Sequence, residues 1–236
     1  MPRPWFKNLY IFGAFILIII AISAILFLWQ HQRVEKHNDY SPQRAGIARL
    51  LKSLDSAYWE NPQQSLDSVR RLIKLSVKTK DNSALALAFY YQAACYIILE
   101  RYDSAFFLCH HALRFAENHK NELVIGKMKN VLANYYLAKN EFKEANKCLM
   151  EALEICEKVG SKKDIANTFN GFGLLYYDLK EPDKAINYYT RVIGLSKEPD
   201  KKRQESVAYL NISNCYLAKQ DFNLTLYFLN KALAGF

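Results

Sequence analysis

Five cysteines, five histidines and a recurring set of asparagines are the residues of this 236-residue chain from which chemistry could be built. The cysteines are Cys95, Cys109, Cys148, Cys156 and Cys215. Their number is odd and no Cys-x-x-Cys occurs, so no disulfide framework or thiolate metal clip is spelled out. Cys148 and Cys156 would lie about 12 Å apart along one helix, too far for a bridge. The reading that remains is a set of small core residues. The histidines are His31, His37, His110, His111 and His119. His110 and His111 point to different faces of a helix, and His111 and His119 lie more than two turns apart. No thiol or carboxylate stands at ligand spacing from them. There is no Gly-rich phosphate loop, no Gly-x-Ser-x-Gly and no zinc-protease histidine pair. The expectation is therefore no catalytic residue, no metal and no cofactor. Two glycosylation sequons, beginning at Asn211 and Asn223, fall in predicted helices and read as accidental.

What positions side chains here is periodicity. A large residue recurs as Phe89, Lys129, Phe169 and Tyr209, at a constant stride of 40. A small residue follows as Ala93, Ala133, Gly173 and Ser213, and then a tyrosine as Tyr96, Tyr136, Tyr176 and Tyr216. Further small positions recur as Ala105, Ala145, Ala185, Thr225 and as Ala112, Ala152, Val192, Ala232. Two helices approach closely only where side chains are small. The pattern thus predicts helical hairpins stacked at that stride, with each tyrosine filling the wedge between neighbours. Predicted helix pairs run 83–99 with 103–118, 122–138 with 141–158, 163–178 with 182–196, and 202–218 with 221–234. A degenerate first pair spans 43–57 and 62–78 and is expected to cap the stack. No stretch alternates with period two, so no sheet is expected.

This order of large, small, tyrosine and alanine resembles the tetratricopeptide repeat over residues 43–236. The stride of 40 exceeds that family's usual length of about 34. The resemblance implies an all-α, right-handed superhelical solenoid whose first helices line a groove that binds a peptide or protein. Its groove positions map to Lys127, Asn130 and Asn134, to Asn167, Asn170 and Leu174, and to Val207, Leu210, Asn211 and Asn214. The preceding hairpin offers Leu87, Tyr90, Tyr91 and Ala94, an apolar end for a hydrophobic side chain. Asparagine amides both donate and accept, which suits an extended backbone. Asn134 and Asn170 match two positions of the carboxylate clamp known in some relatives, but Asn130 and Val207 stand where its lysines would be.

Ahead of the repeats, Leu9–Trp29 carries no charge, and two thirds of it is Leu, Ile or Phe. As a helix this segment spans about 31 Å, the thickness of a hydrocarbon core. Trp5, Tyr10 and Trp29 sit where interfacial aromatics belong. The run is longer than the apolar core of a signal peptide, so an uncleaved anchor is expected. Residues 1–8 form its tail and 30–42 a linker or stalk. Arg3 and Lys7 bias the N-terminus inward, which in a bacterium places the repeats outside the cytoplasm; free cysteines weigh the other way. The net charge of +9 reads as a solvated lysine-rich surface, and no nucleic-acid motif accompanies it. Leu226, Leu229, Leu233 and Phe236 form a stripe on the last helix with no following hairpin. That stripe suggests self-association, another partner, or a continuation of the chain. The overall pattern resembles membrane-anchored bacterial repeat scaffolds and, alternatively, the sensor portion of repeat-containing signalling proteins.

Overall fold

The computed structural model describes residues 41–195 and 201–234. The predicted span Leu9–Trp29 and the flanking tail and stalk up to residue 40 lie outside those residues, as does Phe236. Among the described residues no helix is long and apolar enough to cross a membrane.

The described residues form ten helices and no strand. They are α1 (Ser41–Ala57), α2 (Pro62–Thr79), α3 (Asn82–Ile98), α4 (Tyr102–Asn118), α5 (Glu122–Ala138), α6 (Phe142–Val159), α7 (Lys162–Asp178), α8 (Pro182–Leu195), α9 (Lys201–Ala218) and α10 (Phe222–Leu233). Helix α1 is described from Ser41 and so takes in Pro42, the last residue of the expected linker. Each helix packs on its successor from α2 onward, and α3, α5 and α7 also touch one another in a row. The outcome is the stacked-hairpin solenoid that the stride predicts.

The stride is enforced at the turns. Residues with left-handed backbone are Lys80, Glu100, Lys120, Asn140, Gly160, Lys180 and Gln220, all with φ between 52° and 75°. Every one of them has a residue number divisible by 20, so the turns recur at half the stride. After each, the next N–H reaches back to a carbonyl near the end of the preceding helix, as in Arg101 N–H to Tyr96 O at 2.8 Å and Glu181 N–H to Tyr176 O at 2.8 Å. This satisfies helix-end carbonyls. The residue that donates also starts the next helix, and when that helix opens a hairpin it carries a capping side chain. Asp81 accepts from Ala84 N–H at 2.9 Å, Asn121 from Val124 N–H at 3.2 Å. Asp221, which opens the second helix of the last hairpin, does the same for Leu224 N–H at 3.1 Å.

Packing follows the small positions. Ala93, Ala105, Ala112, Ala133, Ala145, Ala152 and Ala185 are all fully buried. The recurring tyrosine, however, stacks within its own hairpin. The ring of Tyr176 lies 5.4 Å from Tyr188 at 6°, and that of Tyr216 lies 5.4 Å from Phe228 at 5°. Tyr136 meets the expectation of filling the gap between hairpins, its ring lying 6.3 Å from Phe106 of the hairpin before it.

The large recurring position also contacts a residue of its own hairpin, always at the same offset. Phe89 meets His111 edge-on at 5.7 Å, and Lys129 pairs with Glu151 at 2.5 Å. Arg191 lies over Phe169 at 5.5 Å, and Lys231 over Tyr209 at 5.3 Å. One geometric slot is thus filled by ring–ring, ion-pair and cation–π chemistry in turn. That explains how a lysine can stand in an aromatic series.

Candidate groove

The sequence-derived groove residues come from α3, α5, α7 and α9, and the structure brings six of the seven leading candidates onto one cleft. Tyr90, Lys127, Asn130, Asn134, Asn167 and Asn170 line a narrow hollow of about 70 Å³. Asn214 is exposed and stands apart from it. Two wider hollows adjoin this cleft and share Trp59 and Asn170 with it. One, about 490 Å³, is lined by Trp59, Asn167, Asn170, Arg203 and Val207 among others. The second, about 480 Å³, is lined by Ile97, Ile98, Asn134, Leu137, Leu174, Asp178 and Asn211 beside the two shared residues.

The amides are spaced by the hairpin stride, so neighbours on adjacent first helices meet. Asn211 donates to the Asn170 carbonyl at 3.0 Å. Asn130 donates to Thr168 Oγ1 at 2.9 Å. The other end of Asn130, its Oδ1, is buried with no hydrogen-bond partner. An orphaned buried acceptor is costly and is normally filled by water or ligand.

Lys127 does not face an incoming chain freely. It is buried, 9% exposed, and its ammonium bonds Asp164 Oδ1 at 2.5 Å. Ser161 donates to the other oxygen of Asp164, and the ring of Tyr90 lies 5.1 Å from the Lys127 ammonium. This charge pair therefore forms the floor of the cleft.

Helices α1 and α2 are not among the closely packed helix pairs. The C-terminal end of α1 and the turn after it reach across the row of first helices. Tyr58 is buried against Tyr90 and Tyr91, with hydroxyls of Tyr58 and Tyr90 3.3 Å apart. The apolar end read at Tyr90 and Tyr91 is thus already occupied by the chain itself. Asp55 accepts from Tyr91 at 3.1 Å and from Lys163 of α7 at 2.7 Å. Burial raises the Asp55 carboxyl, but the Lys163 ammonium and the Tyr91 hydroxyl outweigh it and leave the group below the usual carboxylate range. Trp59, 45% exposed, then borders all three hollows.

Sequence reasoning missed Asp55, Tyr58, Trp59, Asp164 and Asp178. A signal existed for one of them. Trp59 is the single tryptophan beyond the apolar N-terminal segment, and it sits in a polar turn where no core needs it. The others gave none, since their positions follow from how far α1 reaches across the stack.

A tetratricopeptide repeat family model matches residues 124–198. No curated protein matches the sequence. Among solved structures, BtubC (BKLC) from P. vanneervenii aligns with a TM-score of 0.56 at 19% identity, covering 84% of this chain and 91% of that one. Aspartyl phosphate phosphatase F from Bacillus subtilis aligns with a TM-score of 0.59 at 15% identity; 86% of this chain is covered, spanning 54% of that protein. PilF of Pseudomonas aeruginosa aligns with a TM-score of 0.52 at 15% identity, covering 82% and 76%. At these identities the likeness is one of fold.

Proposed function

We propose that this chain, a tetratricopeptide-repeat protein, is a non-catalytic scaffold that holds an extended peptide or protein segment in the groove of its first helices. The observation that carries the reading is the unbroken line of three hollows, edged by Trp59 and bordered by Asn134, Asn167, Asn170 and Asn211. Amides at one-hairpin spacing suit a ligand backbone. The chemistry of the line is that of recognition. Its one buried charge pair, Lys127 with Asp164, is internally satisfied and offers no nucleophile or base.

We further propose that Leu9–Trp29 anchors the scaffold as a single membrane span, with the N-terminus cytoplasmic and the repeats on the far side. The support is the uncharged length of that segment and the flanking Arg3 and Lys7. The alternative is a sensor portion of a signalling protein. It draws on the apolar side chains of the last hairpin, where Phe222, Leu226 and Leu233 are 63%, 59% and 64% exposed. Such a face suits contact with a further domain or a second copy.

The test is crosslinking and affinity capture with the full chain in mild detergent, comparing wild type with the double variant Asn134→Ala, Asn170→Ala. Loss of captured partners, with the thermal unfolding midpoint unchanged, supports the groove. Equal capture by both forms removes it.

A further inference from the structure

We propose that the groove selects a segment in which an apolar side chain stands next to a basic group: a lysine, an arginine or a free α-amine. The inference rests on the peptide-binding reading above and names the chemistry of the occupant.

The hollow of about 480 Å³ is built from the C-terminal ends of three first helices. Helix α3 contributes Ile97 and Ile98, α5 contributes Leu137, and α7 contributes Leu174 and Asp178. Its walls are aliphatic and accept an apolar side chain. Its electrostatics come from the helix ends. Each C-terminus carries about half a negative charge from aligned peptide dipoles. Three of them converge here, and Asp178, the last residue of α7, adds a full carboxylate.

A carboxylate at that end of a helix is unfavourable unless a cation answers it. The fold supplies none in contact. Among the described residues Asp178 has no ion pair. Burial lifts its carboxyl above the ordinary range, and Lys180 opposes this only at a distance. The other cations of the groove are committed or elsewhere. Lys127 is bound to Asp164 and Lys163 to Asp55, while Arg203 lines the neighbouring hollow together with Glu60. A buried acceptor with no hydrogen-bond partner, Asn130 Oδ1, lies beside the adjoining narrow cleft. The uncompensated carboxylate of this hollow therefore calls for a donor or a positive charge.

The chain as a whole pulls the opposite way. Its net charge of +9 draws acidic segments to the surface without specificity. A preference for basic segments can therefore arise only at the site.

The experiment presents the full chain in detergent micelles with immobilised synthetic nonapeptide pools. Each pool fixes a central leucine followed by lysine, glutamine or glutamate, with the remaining positions degenerate. Retention is measured at about 0.15 M salt, where charges beyond about 8 Å are screened. The expected result is at least about tenfold stronger retention on the lysine pool than on the glutamate pool, as one close charge pair supplies. Asp178→Asn brings that ratio near one. Equal retention on lysine and glutamine pools, lost in the Asn134→Ala, Asn170→Ala form, overturns the basic preference and leaves the groove standing. Stronger retention on glutamate does the same. Retention on no pool beyond that of the double variant overturns the groove along with the preference.

Discussion

Single residues in this stack are chosen by what faces them from the second helix of the same hairpin. A Cβ at Gly173 would lie 2.3 Å from Tyr189 Cε1 and 2.6 Å from its Cζ, inside a rigid ring. Counting back by the stride, the same offset matches Ala133 with Leu149 and Ala93 with Cys109, smaller partners that leave room for a methyl. Gly173→Ala is expected to destabilise by about 1–3 kcal/mol through overpacking. That outweighs the gain of up to about 1 kcal/mol from replacing a helical glycine. Adding Tyr189→Leu restores most of the loss, because it recreates the Ala133–Leu149 pair. Denaturant midpoints of the two single variants and the double variant check the coupling; additive effects would reject it. The floor of the cleft gives a second cycle. Lys127→Ala strands Asp164 in the interior and is expected to cost about 3–5 kcal/mol, as is Asp164→Ala. The double replacement Lys127→Met, Asp164→Leu lies much closer to wild type in the same unfolding measurement, since no charge is then left buried alone.

Helices turn at every half stride, and those turns carry a prediction of their own. Among the described residues, six of the seven with left-handed backbone are not glycine, and only Gly160 is the residue that conformation favours. Lys120, with φ of 52°, is exposed. Lys120→Gly is expected to stabilise by about 1 kcal/mol by removing Cβ strain. Gly160→Lys should lose a similar amount. Equilibrium urea unfolding of both variants tests whether the turns are held by packing alone. It is at this scale that the sequence is most readable. The small positions and the tyrosine offsets place the helices of the four regular hairpins closely. Less readable is what those offsets do. The tyrosine reads as a wedge between hairpins, yet Tyr176 and Tyr216 stack on Tyr188 and Phe228 inside their own. A side chain at that offset can reach either neighbour, and the ring available on the second helix decides which. The groove is half readable. The amide positions follow from the resemblance to the tetratricopeptide repeat, but Asp55, Tyr58 and Trp59 enter it from α1 and the turn after it, where the repeat pattern has faded and spacing no longer forecasts contact.

At the scale of the whole molecule, the cysteines bear on which side of a membrane the repeats occupy. Five unpaired thiols argue for a reducing compartment only if oxidants can reach them as thiolates. All five are buried. Burial pushes the Cys95, Cys156 and Cys215 thiols up to about 11 and Cys109 to about 12, and raises Cys148 as well. They are therefore protonated as well as sheltered at any physiological pH, and an oxidising compartment would not consume them. In the folded chain the thiols therefore weigh less against repeats outside the cytoplasm, and the proposed orientation draws on the basic tail. The expected outcome is that a maleimide-polyethylene glycol reagent adds no mass to the native full chain in membranes. After denaturation in detergent it should add five increments, one per cysteine. The same membranes, taken as bacterial spheroplasts and treated with protease from outside, should lose residues beyond the span and keep a short N-terminal stub. Rapid labelling of the native chain would show that the thiols are open and restore the compartment argument. Protection of the repeats from protease until the cells are lysed would invert the orientation, and the scaffold would then meet its partners in the cytoplasm.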